Sequence, residues 1–369
     1  MTEHVLRVDV TRSLLAAPTN GHNRFHPDIP PALVIAPGDT VTADVRDGFD
    51  AQIGPASTSA DVRRLDPWRG HSLTGPIGVE GAEPGDILDV TILAVEPSSF
   101  GYTAIIPAVG LLGEAFTEPY LVVWNLADGH ATSNGLPGVR IRGRPFLGLV
   151  AVAPSPAMLR RATGRERDIV GEGRTVLLPD ERCAIPAGGR VARDGLRTLP
   201  PRENGGNLDL RHLTVGSTIS LGVQVQGALC SIGDAHFAQG DGESGGVAIE
   251  TAARVTLRLD LRKGSAPELP LVHFTREPEP TPTPCVATTG IPVDVDGNNG
   301  YLDVRLAAQA AMRGMIGYLT REHRLTEHQA YVLASVACDL QISEIVNAPN
   351  ALVSAVLPLD VFSDDRSER

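Results

Sequence analysis

Eleven residues, Gly233–Glu243, limit what this chain can fold into more than any other stretch. They read Gly-Asp-Ala-His-Phe-Ala-Gln-Gly-Asp-Gly-Glu and carry three carboxylates, one imidazole, one amide and three glycines. An apolar core strand does not tolerate that density of polar side chains, and a flexible linker has no use for His236 and Phe237. Asp234 and His236 are two apart, which on an extended backbone puts both on one face. An acid and an imidazole converging on one point suit a divalent metal of the zinc type. Gly240 and Gly242 permit a sharp turn that returns Asp241 and Glu243 toward that point. A solvated acidic turn is the plainer reading. An EF-hand is not, because acidic residues do not fall at every second position before the glycine.

Gly-Asp-x-His-x-x-Gln-Gly-Asp-Gly-Glu resembles the hallmark of the acetamidase/formamidase family. Three further stretches resemble the same family: Thr74–Asp86, Arg144–Pro154 and the Gly-Gly-Asn-Leu-Asp of Gly205–Asp209. Together they span nearly the whole chain, from Pro37-Gly38-Asp39 to the Asn-Ala-Pro-Asn of Asn347–Asn350. The resemblance implies hydrolysis of a short amide to a carboxylate and ammonia. It also implies a β-sandwich-type first part (1–142), a smaller β unit carrying the motif (143–265) and an α+β C-terminal part (266–369), integrated into one unit. The segment 157–199 is longer than the family pattern and reads as an insertion or extended loop, either an interface or a lid.

Composition narrows the chemistry. Among 369 residues Lys263 is the only lysine, so amidases that need a lysine beside their nucleophile are excluded. In Arg-Lys-Gly-Ser, Lys263 reads as a solvated turn residue. The net charge of −12 comes without a basic run, which argues against nucleic acid as a partner. Four scattered cysteines form no CxxC pair and support neither a zinc ribbon nor a disulfide framework. The first residues lack an apolar signal core and no run approaches a membrane span. We expect a cytoplasmic homo-oligomer acting on a small-molecule amide.

The pattern predicts an α+β fold, predominantly β. Residues 4–10 read as a strand, and Ala32–Val45 as two strands around Pro37-Gly38-Asp39. His22 and His26 read as exposed loop residues, and Ala51–Arg69 as a long loop of the functional kind. Val247–Ala253 and Val255–Leu261 look like a strand pair, and Glu277–Pro284 like a polyproline connector. Beyond it, Val304–Leu319 has helical spacing and Thr326, with Gln329, opens a second helix. The tail Ser363–Arg369 reads as frayed.

The candidate metal ligands are Asp234, His236 and His71, with zinc expected and calcium the alternative. Glu243 is the candidate general base, taking a proton from water and passing it to the leaving nitrogen. Asp241 is a ligand or orients one, and exchanging its role with Glu243 leaves the chemistry plausible. Asn207, Gln239 and Glu80 are candidates to hold the substrate; Asn207 and Asp209 share a strand face. Two rival readings stand: a hydrolase for a larger or cyclic amide such as a lactam, and a non-catalytic, metal-stabilised binding protein. Gly78 favours the lactam if it lies near the pocket, because a glycine there leaves room.

Overall fold

The computed structural model describes residues 2–264, 273–276, 283–294, 296–346 and 348–362. Two sheets face each other across an apolar core. One has six strands among the described residues, in the order Glu3–Leu6, Thr40–Val45, Ala253–Arg262, Ile87–Pro97, Thr218–Gly222, His273–Thr275. Its inner strands alternate as half-buried strands must, while the edge strand His273–Thr275 is exposed throughout. In Thr40–Val45, for example, Val41, Ala43 and Val45 are buried while Thr40, Thr42 and Asp44 are partly open. The fold is α+β and predominantly β, as expected.

The larger sheet has eleven strands among the described residues. At its centre Cys230–His236 pairs antiparallel with Phe146–Ala151 on one side, and with Leu73–Val79 and Glu250–Thr251 on the other. Every residue of Leu73–Val79, Phe146–Ala151 and Cys230–His236 is buried, because these strands are covered on both faces. Leu147, Val150, Ile232 and Ala235 pack onto the six-stranded sheet. Leu73, Leu149 and Ala151 pack outward against Phe25, Leu159 and Leu196. Asp234 and His236, flanking Ala235, are left to that outer side.

Segment 157–199 therefore acts as a cover. It holds the helix Pro156–Gly171, whose N-cap Ser155 accepts from the Met158 N–H at 3.2 Å. The C-terminal part covers the neighbouring strands. Its helices Val304–His323 and Glu327–Ala337 join Met312, Met315 and Leu333 to Trp124 and Leu126 of the larger sheet. Thr326 and Gln329 form the anticipated capping box. A three-stranded sheet, in the order Cys285–Gly290, Leu352–Pro358, Asp339–Glu344, completes this part.

Several expectations need correction, one of them because the chain switches sheets. After Glu250–Thr251 in the larger sheet, it enters the smaller one as Ala253–Arg262, so these strands are no pair. The two strands expected around the turn at 37–39 are present as Leu33–Ile35 and Thr40–Val45, and the chain switches sheets between them, since the first pairs with Leu73–Val79 and the second with Glu3–Leu6. His22 and His26 are buried, not exposed; His22 bridges the Arg24 carbonyl at 2.7 Å and the Ser231 hydroxyl at 2.8 Å. Lys263 does sit in a turn, where its Nζ meets Asp86 at 2.8 Å. Residues 277–282 of the connector and the tail 363–369 lie outside the described residues.

The helix Glu327–Ala337 also clamps the loop that follows the motif strand. Gly240 donates to the Ser335 carbonyl and Gly245 to the Ser335 hydroxyl, each at 3.0 Å. The Ser335 hydroxyl in turn donates to the Val247 carbonyl at 2.9 Å. A side chain on Gly240 would place Cβ 2.1 Å from the Cys338 carbonyl oxygen, a backbone atom that cannot yield cheaply. Gly240→Ala is expected to cost about 1–3 kcal/mol in urea unfolding. Gly222→Ala, with open space around it, serves as the control and is expected to cost less.

Candidate active site

Asp234 and His236 do converge, but by a different backbone route. Asp234 is left-handed at φ 57°, and so are Asp209 at 47° and Glu243 at 41°. Such backbone costs energy for a non-glycine residue and gathers at functional sites. It turns these three acids toward one imidazole, and Glu250 joins them from the neighbouring strand. His236 Nε2 lies 3.4 Å from Asp234 Oδ2 and 3.2 Å from Glu250 Oε1. Ligand atoms of Asp209, Asp234 and His236 all fall within 4.8 Å of one another, and so do those of His236, Glu243 and Glu250. His236 belongs to both groups.

The tautomer of His236 follows from its neighbours. Gln239 Nε2 donates to the Asp209 carbonyl at 2.9 Å, and a carbonyl can only accept. That turns Gln239 Oε1 toward His236 Nδ1, 2.9 Å away, so Nδ1 carries the proton. Phe146 holds the ring edge-on at 5.1 Å. Nε2 then faces the carboxylates, and in a neutral ring it faces them as a lone pair. Nε2, both oxygens of Asp234, Glu250 Oε2 and Asp209 Oδ1 are buried without a hydrogen-bond partner among the described residues. Acceptors crowded together without donors call for a positive charge, either a proton or a cation.

Burial and mutual repulsion show in the titration of these groups. Burial first, then the Asp234 charge, pushes Asp209 up to about 7. Burial does the same to Glu250, also to about 7. Burial, then the Asp209 charge, raises Glu243 well above the carboxylate range. Burial also works against charge on Asp234 and on His236, but the His236 and then the His71 charge hold the Asp234 carboxyl low, and the Glu250 and then the Asp234 charge hold the His236 ring high.

Two glycines make the cluster possible. A Cβ on Gly48 would stand 2.2 Å from Asp234 Oδ1 and 2.9 Å from Glu250 Oε2. One on Gly148 would stand 2.8 Å from Asp234 Oδ2 and 2.6 Å from Asp209 Oδ1. Just before Gly48, Asp47 accepts from the Tyr102 hydroxyl at 2.5 Å and from the N–H groups of Phe49 and Ala51. The loop carrying Gly48 is thereby tied to the strand Phe100–Ile105, which pairs with Glu250.

A cavity of about 650 Å³ opens over the cluster, and Asp234, Glu250, Glu243, Asn207 and His71 line its floor. His71 faces the cavity with its Nδ1 unpartnered among the described residues, though it belongs to neither carboxylate group. Asn207 Nδ2 donates to Asp209 Oδ2 at 2.8 Å, leaving Oδ1 as a free acceptor.

Other candidates stand apart. Gln239 orients His236 and is absent from the cavity lining. Asp241 pairs with Arg211 at 3.0 Å, away from the cavity. Glu80 is exposed in the turn after Leu73–Val79. Gly78 packs against Pro31 and Val34 and does not line the cavity, so it says nothing about pocket size. Sequence reasoning missed Glu250, Asp47, Tyr102 and Gly48. The one usable signal was Glu250 itself, an acid at the end of the apolar run Val247-Ala248-Ile249.

Gly48→Ala is expected to displace the Asp234 carboxylate and to destabilise the protein by about 1–3 kcal/mol in urea unfolding. Gly54→Ala in the same loop region meets nothing within 4 Å and is expected to leave the midpoint nearly unchanged.

The chain is similar to known proteins over nearly its whole length. The Acetamidase/Formamidase family profile matches residues 7–364. An acetamidase of Mycolicibacterium smegmatis is 36% identical over 363 residues, covering 90% of this chain and 89% of that one. A formamidase of Methylophilus methylotrophus is 34% identical over 365 residues, covering 93% and 90%. Among solved structures, a gamma lactamase from Delftia acidovorans superimposes with a TM-score of 0.93 at 33% identity, covering 98% of this chain and 93% of that one. By its profile match over nearly its whole length and by these relatives, the chain belongs to the Acetamidase/Formamidase family of amidohydrolases.

Proposed function

We propose that this protein hydrolyses the C–N bond of a short, uncharged amide of the acetamide or formamide kind, releasing a carboxylate and ammonia with the help of a bound divalent cation. The observation that carries the reading is His236 Nε2, turned by Gln239 toward buried carboxylates that lack donors among the described residues, where a cation would replace a proton. A nitrogen ligand among oxygens favours zinc over calcium. His236 and Asp234 would hold the ion, with Asp209, Glu250 or both completing the set. A divalent cation there supplies charge to polarise an amide carbonyl and to acidify water.

The chain's own groups supply the rest. Glu243 lies on the cavity floor, and a carboxyl whose pKa burial raises above the usual carboxylate range suits both halves of a proton transfer. It accepts a proton from the attacking water and delivers it to the leaving nitrogen. Asn207 Oδ1 is an acceptor, so it suits the amide N–H of the substrate rather than its carbonyl. The acetamidase and formamidase relatives support the short linear amide. A cyclic amide is a second reading, favoured by a cavity much larger than acetamide and by the gamma lactamase likeness.

Ammonia release from formamide, acetamide and propionamide, with ring opening of a γ-lactam alongside, tests the proposal. Turnover of at least one amide is expected, and turnover of none by folded, cation-loaded protein would overturn it. Glu243→Gln is expected to keep its cation and lose about 10²–10⁴-fold in kcat. If it loses the cation too, Glu243 is a ligand and the base lies elsewhere.

A further inference from the structure

We infer that the substrate carries an apolar group of several carbons next to its amide, seated against a preformed hydrophobic wall above the cluster. This rests on the amidase reading, keeps its chemistry, and replaces its acetamide-sized substrate with an amide bearing a longer or cyclic apolar group. The same cavity that reaches Asp234 and Glu250 at its floor is walled by Phe49, Leu65, Ile106, Val109, Leu177 and Leu199. Four of these, Phe49, Leu65, Ile106 and Leu177, are only half-buried, and Val109 and Leu199 are 39% and 43% exposed. Apolar surface held open beside a reaction centre is what an apolar ligand covers.

The wall is built rather than loose. Phe49, Leu65 and Ile106 pack on a small core of Val62, Ala104 and Val247. Phe49 belongs to the loop tied down through Asp47, and Ile106 follows directly on the strand that carries Tyr102. The wall is therefore fixed to the same elements that place Glu250 and Gly48.

Size and charge agree. At about 30 Å³ per water, roughly twenty waters fill such a cavity, and a two-carbon amide displaces only a few of them. The cation in the lining, Arg63, is ion-paired with Glu118, so the wall presents no free positive charge to a carboxylate-bearing substrate. An uncharged, hydrophobic group fits what remains.

The test is kcat/KM for primary amides from acetamide to hexanamide, with a six- to seven-membered lactam as a second arm. An increase of about fourfold per methylene is expected along the linear series, the worth of one buried CH₂; a lactam turned over faster than acetamide also supports the wall. Ile106→Trp, which fills the cavity, is expected to reduce the hexanamide-to-acetamide ratio about tenfold or more. If kcat/KM falls steadily beyond acetamide and the lactam is no better, the wall does not serve the substrate and the inference fails, while the amidase reading stands. If Ile106→Trp folds and leaves the ratio unchanged, the wall assignment fails. If folded, cation-loaded protein turns over none of these amides, both readings fail together.

Discussion

The two hydrogen bonds of the Gln239 amide govern the site. Because the Asp209 carbonyl can only accept, Gln239 must present its oxygen to His236, and His236 must present Nε2 to the carboxylates. The bond thus converts a backbone position into a protonation state. It also joins two chain segments, since Asp209 follows the strand Gly205–Asn207 while Gln239 follows Cys230–His236. A partner that fixes the tautomer of a ligating imidazole is a common determinant of metal affinity. Here it leaves Nε2 buried among acids, an arrangement stable only with positive charge at its centre, a proton on the ring or a bound cation.

Holding that arrangement requires the rest of the fold. Three of the acids sit in left-handed backbone, which only an over-determined surrounding maintains. The central strand supplies this through partners on both edges, and the helix Glu327–Ala337 supplies it through Ser335, which touches the loop at Gly240, Gly245 and Val247. The Asp234 carboxylate has room only because Gly48 and Gly148 lack side chains. The late helical pair is remote in sequence from the motif but is part of the scaffold that positions it.

Much of this was legible beforehand, for identifiable reasons. Asp234 and His236 stood out because charged residues crowd a short stretch flanked by apolar sequence, and Thr326 with Gln329 announced a helix by capping chemistry. Glu250 was hidden because a single acid in Val-Ala-Ile-Glu-Thr looks like the open face of a strand. Its burial comes from the chain passing between sheets, a tertiary event without local signature. Asp47-Gly48 likewise reads as an ordinary turn, and only the Tyr102 hydroxyl and the Asp234 carboxylate reveal why it is there. Asp241 misled for the opposite reason: its position in the motif suggested chemistry, but the turn at Gly240 sends it to Arg211. His22 and His26 looked like surface residues because polar neighbours flank them, whereas the cover formed by segment 157–199 buries that part of the chain.

The central claim is that the cluster works through a bound cation held at His236 Nε2. The most direct measurement is metal content and ammonia release on one preparation, before dialysis against a chelator, after it, and after zinc is returned. The account predicts that both fall together on chelation and that activity returns as the site refills. Metal-free, folded protein that hydrolyses the amide at the full rate would contradict it.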